Sequence, residues 1–132
     1  ELGDDVDAEL LAFEQEGREE RTSRRLLEFR PQAHPVVEKV TIWALEGMDV
    51  DLRLDIRVEL VEGSAIDKVQ VQVNPRGASW QRWAAEPEGG VYRAEVQTRQ
   101  RDTRGILWFV VLQGRDGKFR FGSAERPLDL EP

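Results

Sequence analysis

The chain has 132 residues, 34% of them charged, with no cysteine and a single histidine, His34. That length suits one domain, or a small domain with an appendage, and the missing cysteines exclude disulfides, thiolate metal sites and a cysteine nucleophile, while one histidine cannot build a multi-histidine metal centre. A net charge of −7 argues against a nucleic-acid-binding surface, and no 18-residue apolar run is present to span a membrane.

Charge divides the chain unevenly. Residues 1–34 carry ten acids and five arginines; residues 35–132 carry sixteen acids and fourteen Lys or Arg. The acidity therefore sits in an N-terminal appendage, 1–34, and the body, 35–132, is nearly neutral. The chain begins at Glu1 rather than Met, as a mature form or an excised piece of a longer protein would.

Residues 4–29 contain no proline and one glycine, Gly17. Val6, Leu10 and Phe13 fall at helical spacing, and Asp4, Asp5 and Asp7 suit a first turn, where the helix dipole favours anions. Glu14/Arg18 and Glu20/Arg24 are favourable i,i+4 pairs. Leu26, Leu27 and Phe29 follow, and Pro31 ends the pattern. One reading is a solvated helix pinned at its two apolar ends, or a partly disordered arm. The other is a docking or self-association helix that uses Leu10, Phe13, Leu26, Leu27 and Phe29 against a protein partner.

From Pro35 the apolar period changes to two. Val37 to Leu45 reads as a strand ended by Glu46-Gly47. In Asp49 to Leu60, Val50, Leu52, Leu54, Ile56, Val58 and Leu60 alternate with charged residues, the pattern of an antiparallel strand with one wet face. Val69, Val71 and Val73 give the next strand, closed by Asn74-Pro75-Arg76-Gly77. Trp80 to Ala85 reads as a short strand, and Tyr92, Ala94, Val96 and Thr98 as another after Pro87-Glu88-Gly89-Gly90. Ile106 to Leu112 is continuously apolar, as in a strand covered on both faces. Gly114-Arg115-Asp116-Gly117 is a hairpin turn leading to Lys118–Phe121, with Leu128 to Leu130 continuing it. The expected core is Leu52, Leu54, Ile56, Val58, Val69, Val71, Val73, Tyr92, Ala94 and Val96. Leu107, Phe109 and Val111 are expected to complete it, with Trp108 under the N-terminal segment.

About seven short strands with turns every ten residues point to a mainly β fold, an antiparallel β-sandwich with an N-terminal helical appendage. The stretches "IDKVQVQV" (66–73), Trp80, "GGVYRAEV" (89–96) and "GILWFVVLQGRDGKFRFGS" (105–123) are similar to the immunoglobulin-like, fibronectin-type-III-like modules of bacterial multidomain envelope and secreted proteins. The resemblance covers residues 36–131 and departs from antibody domains in lacking the cysteine pair and the core Trp of strand C. It implies a binding or spacer module, extracytoplasmic (periplasm or cell surface) rather than cytoplasmic. It assigns no catalytic residue.

Trp80 and Trp83, with Gln81 and Arg82 between them, are the candidate glycan platform; Trp43 and Trp108 read as core. Asp49, Asp51 and Asp55, or Asp4, Asp5 and Asp7, lack the spacing of a calcium loop and read as charged surface. His34 reads as a linker residue, and no serine sits in a nucleophile elbow. The residues together point to a non-enzymatic protein-interaction or spacer module, without metal or cofactor, joined to its partner by the N-terminal segment. The alternative is a carbohydrate-binding module using Trp80 and Trp83. A body starting at Pro35 is expected to fold by itself.

Overall fold

In a computed structural model of the chain, the residues described are 23–46, 52–75, 79–99 and 103–131. They form nine strands: β1 Ser23–Phe29, β2 Val37–Glu46, β3 Leu52–Leu60, β4 Ile66–Asn74, β5 Gln81–Glu88, β6 Val91–Thr98, β7 Leu107–Gly114, β8 Gly117–Phe121 and β9 Leu128–Asp129. All pairings are antiparallel. The order is β1-β2-β3-β6-β5-β4-β7-β8, with β9 beside β7. The sheet curls into a half-barrel whose inner face encloses one core.

β3 shows why the strands form. Leu52, Leu54, Ile56 and Val58 are buried while Arg53 and Arg57 are exposed. A slip by one residue would exchange those sets, so the register is strongly specified. Val69, Val71, Val73, Ala94 and Val96 join the same core. Tyr92 packs against it only partly buried and donates its hydroxyl to the Ile66 carbonyl at 3.1 Å. The Gly89-Gly90 turn between β5 and β6 has φ of 60° and 91°, left-handed values that glycine adopts without steric cost. At Gly114 the requirement is space, because a Cβ there would collide with the Ala65 carbonyl.

Two expectations are corrected. Ser23–Phe29 is a strand and not the end of a helix: it pairs along its whole length with β2, Leu27 opposite Ile42 and Phe29 opposite Val40. Leu26 and Phe29 satisfy helical spacing and Leu27 and Phe29 period two, and burial against β2 overrides weak local propensity. Residues 4–22, with Leu10 and Phe13, lie outside the described residues. The phase of β7 is also the reverse of that expected. Trp108, Val110 and Leu112 enter the core, with Trp108 1% exposed. Phe109 faces the other way and is still only 4% exposed, because Trp80 lies on it edge-to-face at 4.9 Å. An outer-face cover of that kind makes both phases of a strand look apolar. Trp108 does lie beneath the N-terminal segment, with the Phe29 ring 4.9 Å away.

β5 is longer than its sequence suggests. Gln81 to Ala85 pair with β4, and Glu86 to Glu88 pair with β6. Pro87 lies in the second part, opposite Tyr92. The strand thus carries the sheet round its bend.

The two ends of the curled sheet are held together by side chains. Phe29 from β1 and Phe121 from β8 both meet Trp108 edge-on. Arg25 on β1 donates two hydrogen bonds to the Glu131 carboxylate, at 3.0 and 2.8 Å. Thr103 donates its hydroxyl to the same carboxylate and accepts from Arg25. These contacts, Arg25 foremost, hold the Glu131 carboxyl down to about 2.

Phe29→Ala should lower unfolding free energy by about 2 kcal/mol, read from the urea midpoint, and removal of residues 1–34 should lower it further. Because the folded carboxyl titrates below its ordinary value of 4.5, the Glu131 contribution is complete above that pH and is lost as pH falls towards 2. Wild type and Glu131→Gln should therefore differ in urea midpoint at pH 6 and converge near pH 2.

Candidate functional site

The cross-strand register writes the outer face of β1, β2, β3 and β6 as rows. One row is Arg24, Leu45, Arg53 and Gln97; the next is Leu26, Trp43, Asp55 and Glu95. β3 and β6 supply charge at every outward position in these rows except Gln97. β2 supplies Trp43 and Leu45, which give the face an apolar strip.

A cleft of about 430 Å³ opens on these rows, lined by Arg24, Trp43, Leu45, Arg53, Leu54, Asp55, Trp83, Glu95, Val96 and Gln97. Its origin is the bend in the sheet. β5 pairs with β6 only from Glu86 to Glu88, so β6 beyond Arg93 has no strand partner on that side among the described residues. Trp83, packed against the core, borders the gap, and its indole nitrogen is buried without a hydrogen-bond partner.

The acids of the cleft are held by ion pairs. Arg93 donates from Nε to Asp55 Oδ1 at 2.9 Å and from Nη2 to Asp55 Oδ2 at 3.2 Å. The same Nη2 donates to Glu95 at 2.7 Å. Arg57 approaches Asp55 at 3.4 Å. Arg24 lies over the Trp43 ring, its guanidinium carbon 4.3 Å from the centroid, a cation–π contact.

The sequence-derived candidates are dispersed. Trp80 and Trp83 do not form one platform: Trp83 packs on the core side, opposite Val71, whereas Trp80 covers Phe109 on the outer side. The cause is their spacing of three, which in a strand reverses the face. Trp43 is not core but half-buried on the outer face. Of the docking set, Leu26 is exposed at 36%, while Leu27 and Phe29 pack on the core; Leu10 and Phe13 are outside the described residues. Asp55 is bound to arginines across the face, and Asp49 and Asp51 are outside the described residues. Sequence reasoning missed the Arg24–Trp43 pair, whose only signal was the odd phase of Trp43 relative to Ile42 and Ala44.

His34 is more than a linker. Its Nδ1 accepts from the backbone N–H groups of Val36 and Val37 at 3.1 and 3.0 Å, which places the ring proton on Nε2. That nitrogen lies 2.7 Å from the Arg120 carbonyl and donates to it. The ring therefore ties the β1–β2 connection to β8. His34→Ala leaves two partly buried N–H groups without their acceptor and should cost about 1–3 kcal/mol. His34→Asn, whose short amide can accept from the same two groups, should recover part of that loss in thermal unfolding.

The chain matches no protein-family model, no curated protein and no solved structure.

Proposed function

We propose that this chain is a non-enzymatic protein-interaction module with an immunoglobulin-like, fibronectin-type-III-like sandwich arrangement, meeting its partner through the outer face of β1, β2, β3 and β6. The strand order supports the sandwich part. With β2, β3 and β6 as strands A, B and E, and β4, β7 and β8 as C, F and G, the neighbours are those of such modules. An extracytoplasmic setting belongs to the same reading.

The observation that carries the function is the cleft. An apolar strip of Trp43 and Leu45, continued by exposed Leu26 and bordered by arginines and carboxylates, has the composition of an interface centre with its polar rim. It stands on hydrogen-bonded strands, so a partner meets a surface already shaped. The glycan reading lacks such support, since Trp80 and Trp83 lie on opposite faces and Arg24 covers Trp43.

The test is photo-crosslinking in the source cells. Benzoyl-phenylalanine at position 43 should give one discrete protein adduct. The same group at position 118, on β8, should give none. Absence of an adduct from position 43 would overturn the interaction reading and leave a spacer.

A further inference from the structure

We infer that the cleft on the outer face takes an acidic, leucine-bearing peptide segment of a protein partner, with Arg53 meeting a carboxylate. This rests on the interaction reading above and assigns its ligand chemistry.

Four charged side chains line the cleft, two of each sign. They are not equally available. Both carboxylate oxygens of Asp55 accept from Arg93, and Glu95 accepts from it too. Arg93 stands one row away, opposite Arg57 in the register, so the acids of the cleft are bonded to a cation outside it. Arg53 is exposed and has no ion pair among the described residues. The charge that the cleft offers an incoming group is therefore positive.

Geometry adds selectivity. Arg24 and Arg53 flank Leu45 in one row, each opposite it on a neighbouring strand. Adjacent strands lie about 4.8 Å apart, so the two arginine backbones stand about 9.6 Å apart across an apolar residue. A segment that alternates carboxylates with leucine can seat an apolar side chain on Leu45 and Trp43 and bring a carboxylate to the guanidinium fork. Arg24 lies over one face of Trp43, so a sugar stacking there would have to displace the guanidinium, whereas a leucine needs only the apolar edge shared with Leu45, and a peptide is favoured over an acidic glycan. The net charge of −7 does not cancel this, because at 0.15 M salt charges farther than about 8 Å are largely screened.

The probe is a fluorescein-labelled decapeptide of alternating Glu and Leu, titrated with the full chain and followed by anisotropy at 50 and 200 mM salt. Binding is expected, weaker at the higher salt. Arg53→Glu should weaken it at least tenfold and Arg53→Gln by an intermediate factor, both with unchanged circular dichroism, because residue 53 is exposed. Lys118→Glu on β8 should leave it unchanged. Equal binding of a Gln-Leu peptide, no binding of the Glu-Leu peptide, or no effect of Arg53→Glu would overturn the acidic ligand. If the position-43 adduct persists in that case, the interaction reading survives without it; if the adduct is missing as well, both fall.

Discussion

The half-barrel depends on one buried indole. Trp108, near the start of β7, receives Phe29 from one end of the sheet and Phe121 from the other, at interplanar angles of 69° and 88°. Edge-to-face pairs of this kind contribute about 0.5–1.5 kcal/mol beyond area burial. The indole nitrogen has no partner, a cost of about 1–3 kcal/mol that the burial of so large a side chain must offset. A curled sheet with an unfilled centre would not hold its ends together. Filling it with a Trp that meets rings from both end strands explains why β1 belongs to the body, although its sequence resembles the charged segment before it. The Arg25–Glu131 clasp then acts on the same seam from the polar side.

The bend that curls the sheet also makes the cleft. β5 can pair with β4 and with β6 only by leaving one for the other at Ala85/Glu86. Where it leaves β6, a ladder stops and space opens. Trp83 fills part of that space from the core side. The remainder, continuous with the outer rows of β1, β2, β3 and β6, is the concavity on which the interaction reading stands. Fold and candidate site thus share one cause, and no added loop is needed to build the site.

Much of this architecture is legible in the sequence, for physical reasons that also mark the limits. Alternation in 52–60, 69–73 and 92–98 is unambiguous because one face of each strand meets charge or water. The Gly89-Gly90 turn and the glycine that follows Arg115-Asp116 are legible because positive φ restricts residue choice. Residues 106–112 give no phase, since Trp80 covers Phe109 from outside and removes the polar half of the pattern. Leu26, Leu27 and Phe29 fit a helix and a strand equally well in isolation; only the long-range partner β2 decides. Pro87 reads as a strand end, yet it continues β5 on the far side of the bend. The cleft could not be read at all. Arg24, Trp43, Arg53 and Glu95 are distant in sequence, and only the register of four strands aligns them.

Among the described residues the curled sheet ends in two border strands, β1 and β8, and the outward peptide groups of such a strand could template the addition of a foreign one. The His34 bond described above bears directly on this hazard. The Arg120 carbonyl on β8 is already taken by the imidazole, and the ring is itself fixed by two backbone donors. An incoming strand would have to displace a side chain held at three points. Lys118 and Arg120 add like charge along the same border, which discourages stacking of copies upon one another. A histidine that looks like a spacer beside a proline thus occupies a carbonyl of the β8 border that strand addition would need.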